Sequence, residues 1–267
     1  MYPKILILTG YGINCDEETK YAFELAGGIA EIIHINDLID QPEKIKNYQI
    51  MAFPGGFSYG DDTGSGNALA NKIKSNLMDN LLEFIMSGNL IIGICNGFQV
   101  LVNLGLLPAI QGRYGDRKVA LTYNITARFE CRWVDLKNES DRCVFTRGIE
   151  LIHVPVAHGE GNFYAEEETL KELKEGGHIV FRYIKPDEGY AKREFPFNPN
   201  GSLYDIAGIC DETGRVFGMM PHPERYLAFT NRDNWALHKE RYRREGKAIP
   251  QEGDGIAIFM NAVCYFR

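Results

Sequence analysis

A cysteine sits between two glycines in Gly93-Ile94-Cys95-Asn96-Gly97. This stretch ends the apolar run Leu90-Ile91-Ile92 and opens a helical pattern through Val100, Leu101 and Leu104. Strand, tight turn and helix with a nucleophilic residue at the bend is the layout of the Gly-x-Ser-x-Gly elbow, with sulfur in place of oxygen. The glycines let the turn close without a Cβ clash and leave the sulfur standing clear. A helix N-terminus behind the sulfur favours negative charge, so a thiolate forms there more easily than in water. The plain alternative is a buried cysteine in a core strand; the flanking glycines and the strand-to-helix switch argue against it.

A cysteine nucleophile needs a base, and the base needs an orienter. Met219-Met220-Pro221-His222-Pro223-Glu224-Arg225 supplies both types. His222 can accept the thiol proton and later protonate a leaving amine. Glu224, two residues on, points to the same side of an extended segment and can hold one imidazole nitrogen. Pro221 and Pro223 restrict the backbone around them. Taken alone, His-Pro-Glu is more often structural; in the order Cys, His, Glu, and with an elbow, it reads as base and orienter. Acyl chemistry also needs donors for an oxyanion. The elbow offers the backbone N–H of Asn96, and the glycine pair Gly55-Gly56 after Pro54 is a natural second supplier. A simple turn is the competing reading of that pair.

The elements that must position these residues alternate in the first half of the chain. Ile5 to Thr9 reads as a strand, followed by a helix capped by Asn14, with Glu17 completing a capping box, and stopped at Gly27-Gly28. Strands are expected at Ile29 to Ile35 and at Ile50 to Phe53, then a glycine-rich loop from Ser58 to Gly66. One helix should carry Leu69, Ile73, Leu77, Leu81 and Ile85 and end at Gly88. The elbow strand is the fourth. Strands separated by helices argue for an α/β protein with a mostly parallel sheet covered on both faces. The second half is richer in strands, with a long one expected over Val119 to Leu136 and another over His178 to Ile184. Ile206 to Cys210 and Val216 to Met220 flank Asp211-Glu212-Thr213-Gly214, a hairpin signal. Gly255 to Phe266 reads as a closing helix. One domain over residues 1–267, with antiparallel additions, is expected.

Composition narrows the class. The 267 residues carry a net charge of −7, which gives no encouragement to nucleic-acid or membrane binding. The start runs directly into a strand, leaving no room for a signal peptide, and no apolar run approaches a membrane span. Six scattered cysteines without a Cys-x-x-Cys pair fit a reducing cytoplasm and free thiols. No zinc-ligand spacing is present, so no metal is expected. Cys15, Cys131, Cys143, Cys210 and Cys264 read as inert, His34, His153, His178 and His238 show no partner pattern, and Trp133 and Trp235 read as packing or contact residues.

Together these segments resemble the class I (triad) glutamine amidotransferases. The match is carried by Pro54-Gly55-Gly56-Phe57-Ser58-Tyr59-Gly60-Asp61, Gly93-Ile94-Cys95-Asn96-Gly97-Phe98-Gln99 and Pro221-His222-Pro223-Glu224-Arg225. Within that class the chain resembles the PurQ-type branch, the glutaminase subunits of phosphoribosylformylglycinamidine synthase. Asn124 to Glu130, Ala157-His158-Gly159-Glu160-Gly161-Asn162 and Asp205 to Ile209 agree, and the likeness runs from about Ile5 to Phe266. The resemblance implies a flavodoxin-like, class I amidotransferase fold. It also implies hydrolysis of L-glutamine to glutamate and ammonia through a glutamyl thioester on Cys95, with His222 shuttling protons and Glu224 orienting it. Gln99 would contact the substrate, and Phe129, His158 and Gly159 would wall the site. The expected partner is a large ATP-dependent synthetase subunit, with room for a small bridging subunit. The resemblance places ATP and Mg on that partner, and the absence of a Gly-x-x-x-x-Gly-Lys-Ser/Thr phosphate loop in this chain is consistent with it.

Two features depart from the pattern. The loop Gly60-Asp61-Asp62-Thr63-Gly64-Ser65-Gly66-Asn67 stands where bacterial members more often carry a Tyr-Leu-Arg type run. The segment 226–254 is longer than compact members need and holds Arg232, Lys239, Arg241, Arg243, Arg244 and Lys247. A solvated helix face and a docking surface for the synthetase are its two readings. Two other functions stay open beside the purine glutaminase: a triad glutaminase serving another synthetase, and a non-catalytic scaffold. The intact Cys95, His222 and Glu224 speak against the second.

Overall fold

Short runs that are apolar on both sides of the pleat have no polar face to show to water, so they fold as central strands covered above and below. Ile50–Phe53 and Leu90–Ile94 are such runs, buried at every position. The computed structural model describes residues 2–60, 64–187 and 189–267, and Asp61, Asp62 and Thr63 of the divergent loop lie outside them. Its first half runs β1 (Lys4–Thr9), α1 (Asp16–Leu25), β2 (Ile29–His34), α2 (Ile35–Asp40), β3 (Ile50–Phe53), α3 (Asn67–Asn76), α4 (Met78–Met86), β4 (Leu90–Ile94) and α5 (Asn96–Leu104). The second half runs β5 (Val119–Thr122), β6 (Glu130–Asn138), β7 (Leu151–His158), β8 (Asn162–Ala165), α6 (Glu167–Glu175), β9 (Ile179–Ile184), β10 (Ile206–Cys210), β11 (Val216–Met219), α7 (Trp235–Arg244) and α8 (Ile256–Cys264).

Among the described residues nine strands form one sheet in the order β2-β1-β3-β4-β11-β10-β9-β6-β7. Every pair from β2 to β11 is parallel, and every pair from β11 to β7 is antiparallel. Only β10 and β6 therefore run against the rest, which is the mixed, mostly parallel sheet with antiparallel additions that was expected. The crossover from β1 to β2 steps away from the sheet centre, and that from β3 to β4 steps towards it. Right-handed connections then put α1 and α3 on opposite faces. α1 packs on α8 through Phe23 and Phe259, ring centroids 5.0 Å apart, while α3 packs on α5. Among the described residues no helix is long and apolar enough to cross a membrane.

Three expectations need correction. The cap of α1 is Cys15, not Asn14, and no side-chain capping bond forms. The backbone N–H groups of Asn14 and Cys15 instead donate to the carbonyl of Gly55 at 3.3 and 3.2 Å, a tertiary tie that outbids a local cap. The single helix over Leu69 to Ile85 is two helices, broken at Leu77 (φ −131°). The Asn76 side chain takes the Lys72 carbonyl at 2.7 Å, competing with the helix ladder, yet the stripe Leu69, Ile73, Leu77, Leu81, Ile85 stays buried. The long strand over Val119 to Leu136 is β5 plus β6. Its middle is pulled out by Asn124, whose side-chain amide donates to the carbonyls of Arg128 (2.9 Å) and His158 (2.8 Å). β5 pairs with β8 in a separate two-stranded sheet.

Candidate active site

The elbow forms where the parallel strands end. Cys95 joins β4 to α5 with φ 52° and ψ −107°, a strained backbone for a residue with a Cβ; such a conformation costs on the order of 1–3 kcal/mol and is held by its surroundings. Those surroundings are the glycines. A Cβ on Gly97 would stand 1.8 Å from the Phe53 carbonyl oxygen, and one on Gly93 would stand 2.7 Å from Gly97. The glycines serve close approach, and the unusual dihedral falls on the cysteine itself. Sγ, nearly buried, lies 3.7 Å from the Ala157 carbonyl.

β11 lies beside β4 with Met219 opposite Ile94, and the Cys95 N–H donates to the Met219 carbonyl at 2.8 Å. The turn after β11 therefore rises next to the elbow. Its His222 N–H is fixed by the Pro155 carbonyl at 2.8 Å, and the ring is 1% exposed. Nδ1 meets Glu224 Oε1 at 2.5 Å, while Nε2 has no hydrogen-bond partner among the described residues. Burial works against a protonated imidazole here. The Glu224 carboxylate more than reverses it, assisted by the Cys95 and Cys15 sulfurs, and the His222 pKa stands well above 6.5. A histidine held by a carboxylate on one nitrogen, with the other free beside a thiol, is equipped to carry a proton.

Gly55 and Gly56 divide the work expected of them. A Cβ on Gly55 would come within 2.8 Å of His222 Cε1, so this glycine makes room for the imidazole. Gly56 (φ 147°) pairs with Ile13 in an antiparallel bridge. The flanking bonds are Asn14 N–H to the Gly55 carbonyl and Phe57 N–H to the Gly12 carbonyl. In such a non-hydrogen-bonded pair the central N–H points away from the partner strand, leaving Gly56 N–H available to a ligand. The N–H of Asn96 opens α5 and has no carbonyl behind it to bond. Its side chain bonds the Ser58 N–H (3.2 Å) and Gln99 Oε1 (3.0 Å).

The other expected residues line the same end. Gln99 lies one turn along α5, its Nε2 donating to the Glu160 carbonyl at 2.6 Å. The 158–162 loop is thereby pinned to the elbow helix. Gly159 has open space on its Cβ side. Phe129 is 53% exposed and tilts against Phe57, 6.1 Å between centroids. His158 is buried with Nδ1 on Asn124 Oδ1 at 3.1 Å. Burial, and then the charge of His222, push its pKa down to about 3, so it is neutral in the working range.

One residue expected to be inert is not remote. Cys15 Sγ, a His222 ring nitrogen and a Glu224 oxygen lie within 4.8 Å of one another, the one such grouping among the described residues that has metal-ligand chemistry. Arg225 Nη2 donates to that sulfur at 3.1 Å, so a cation entering there would face a guanidinium. The signal in the sequence was the pairing of a cysteine before α1 with an arginine after Glu224, which spacing alone does not connect.

An α/β sheet that sets a cysteine elbow beside a His–Glu pair is the framework of an amidotransferase. The chain belongs to the CobB/CobQ-like glutamine amidotransferase domain family, whose model matches residues 2–266. Among its relatives is the phosphoribosylformylglycinamidine synthase subunit PurQ of Methanococcus maripaludis, 56% identical over 99% of this chain and 98% of that one. The PurQ subunit of Dehalococcoides mccartyi is 47% identical over 99% and 98%. Among solved structures, a chain of PurLQS from Thermotoga maritima matches all of both chains with a TM-score of 0.72 at 31% identity. Another Thermotoga maritima structure, of a glutamine amidotransferase, shares the fold alone, with a TM-score of 0.50 at 15% identity over 92% of this chain and 86% of that one.

Proposed function

We infer that this chain is the glutaminase subunit of a phosphoribosylformylglycinamidine synthase, acting as one amidotransferase domain over residues 1–267 in a cytoplasmic assembly. The observation that carries the reading is the convergence of Cys95, His222 and Glu224 at one end of the sheet, in a chain that matches PurQ subunits over its whole length. With its proton already held by His222, the Cys95 thiolate attacks the side-chain amide carbon of glutamine. The oxyanion that develops is met by the N–H groups of Gly56 and Asn96. His222 Nε2 returns the proton to the departing nitrogen, ammonia leaves, and a glutamyl thioester remains for water to hydrolyse. Glu224 holds Nδ1 throughout, fixing the ring and stabilising its positive charge. Gln99 keeps the 158–162 loop against α5, and Phe129, His158 and Gly159 close the far wall. The ammonia goes to a synthetase subunit, with a small subunit such as the S of PurLQS completing the assembly. That partner uses ATP to turn formylglycinamide ribonucleotide into the amidine.

The test is reconstitution with the synthetase and small subunits. Cys95→Ala should abolish glutamine-dependent amidine formation, by about 10³-fold or more, while synthesis from added ammonia continues. Equal loss of both activities would overturn the ammonia-donor role.

A further inference from the structure

Behind the His222–Glu224 pair stands a layer that the reaction above leaves unused. Glu224 is buried, and only one of its oxygens is taken by His222; Oε2 has no hydrogen-bond partner among the described residues. The next residue in the chain is an arginine. A guanidinium beside a buried carboxylate in the chain is a candidate to pair with it through two parallel bonds. Here the Arg225 guanidinium instead gives an N–H to the Cys15 sulfur at 3.1 Å. Cys15 is itself fixed. Its N–H donates to the Gly55 carbonyl at 3.2 Å, its carbonyl accepts from Thr19 Oγ1 at 2.6 Å, and its side chain is fully buried. Sulfur, imidazole nitrogen and carboxylate oxygen lie within 4.8 Å of one another.

We propose that Cys15 is a positioning residue for the glutaminase reaction: its sulfur holds the Arg225 guanidinium aside, so that the Glu224 carboxylate stays with His222. The inference rests on the function proposed above. Two cations compete for one buried carboxylate. If the guanidinium took Oε2, it would draw off the negative charge that keeps the imidazole protonated, and its pull would tilt the carboxylate from Nδ1. Burial works against the Arg225 charge; the Cys15 sulfur first, and then the Glu224 carboxylate, favour it. The charged and titratable groups around His222 are Glu224 and Arg225 on its own turn, Cys95 at the elbow, Cys15 before α1 and His158 at the end of β7. Glu17 and Glu18 of α1 line the outer side of the groove that holds Arg225. Both are exposed, so water weakens their claim on the guanidinium relative to that of the buried Glu224.

The experiment uses the reconstituted complex and four variants: Cys15→Ala, Cys15→Ser, Arg225→Met and the double variant Cys15→Ala with Arg225→Met. Cys15→Ala should lower kcat for glutamine by about tenfold, part of what a proton carrier contributes. KM should be unchanged, and the ionisation in the kcat–pH profile should move to lower pH. Cys15→Ser, which keeps an acceptor, should stay near wild type. The double variant should recover most of the lost kcat, because the competing charge is gone. A cavity left by a lost sulfur cannot be repaired by deleting a neighbouring arginine. Equal impairment in the Ala and Ser variants with an unmoved pH profile, or failure of Arg225→Met to restore the Ala variant, would overturn the proposal and leave Cys15 a packing residue. Ammonia-dependent synthesis, which belongs to the partner, reports that each variant is folded and assembled. A wild-type complex inactive with glutamine would instead reject the function itself.

Discussion

His222 and His153 both lie against carboxylates, yet one ring keeps a nitrogen empty and the other spends both. His222 Nδ1 binds Glu224 at 2.5 Å, and Nε2 is left without a hydrogen-bond partner among the described residues. His153, on β7 in the antiparallel half, binds Asp135 of β6 through Nδ1 at 2.7 Å and Asp233 through Nε2 at 2.9 Å. Its N–H also donates to Asp254 at 2.9 Å, and its ring stacks on Trp133 with centroids 5.0 Å apart. Both ring nitrogens of His153 meet oxygens that only accept, so the geometry asks for the doubly protonated ring. Its pKa is raised accordingly: burial lowers it, and the bonds to Asp135 and Asp233 more than restore it. Asp233 and Asp254 both belong to the 226–254 segment, one before its helix and one after, so His153 clips that segment to the sheet. The same pairing of residue types makes a proton carrier in one place and a fastener in the other. The difference is one vacant nitrogen beside a nucleophile.

The largest expected effect breaks the comparison if it fails. His222→Gln should cut glutamine-dependent turnover by about 10²–10⁴-fold, the usual contribution of a positioned acid–base. Glu224→Gln should fall short of that, since the ring remains and only its orienting charge is lost. His153→Gln should leave kcat within about twofold and lower Tm by roughly 2–4 °C, corresponding to about 1 kcal/mol at this chain length. Steady-state assays of the assembled complex beside thermal melts of the same samples decide it. A His153 variant as inactive as the His222 variant would erase the distinction between carrier and fastener.

A smaller effect separates the histidines by pH. His153 has a folded pKa above its unfolded value, so its stabilisation is complete below the unfolded pKa of about 6.5 and is lost as pH rises through the folded value. The Tm gap between wild type and His153→Gln should therefore narrow towards alkaline pH. His158 has the opposite sign. Its folded pKa is pushed down to about 3, so the unfolded chain takes the proton first and stability drains away as pH falls from about 6.5 towards that value. His158→Gln should be flatter than wild type over the acid limb. Melts in a series of buffers across both limbs read both signs, and a His153 gap that widens at high pH contradicts the clamp.

The same contrast explains what was legible in the sequence. The elbow could be read because its constraints are local: Gly93, Cys95 and Gly97 fall within five residues, and the strand and helix flanking them have clear periods. His222 and Glu224 are two apart and do meet, but across a 3-10 turn over Pro223–Arg225 and not along the extended segment that was expected. The hairpin of β10 and β11 carried its turn residues with it. The clamp could not be read, because His153 meets Asp135 only through the β6–β7 register, and meets Asp233 from a loop 80 positions away. Cys15 and Arg225 are 210 residues apart and touch only once α1 and the turn after β11 are packed together. The Asn14 cap and the single helix over Leu69 to Ile85 failed for the converse reason. Their local signals were present, and a bond to Gly55 in one case and to the Lys72 carbonyl in the other proved stronger.

The smallest expected effect concerns what the clamp holds in place. α7 buries none of its residues, and a helix that is polar all round persists through its own side-chain pairs or through something laid against it. Arg244 and Arg243 do pair with Glu240, at 3.0 and 3.8 Å, but exposed pairs of this kind contribute only a few tenths of a kcal/mol each. Neutralising Arg241, Arg243 and Arg244 to Gln should therefore leave Tm of the free chain nearly unchanged and leave its own glutaminase activity alone. If the helix is a docking surface, the same change should weaken assembly with the synthetase subunit several-fold, and added salt should weaken wild type towards the variant. Sedimentation or titration at two ionic strengths reads this directly. Unchanged assembly at both would make α7 a solvated face, and would leave His153 holding a segment whose contribution is to stability alone.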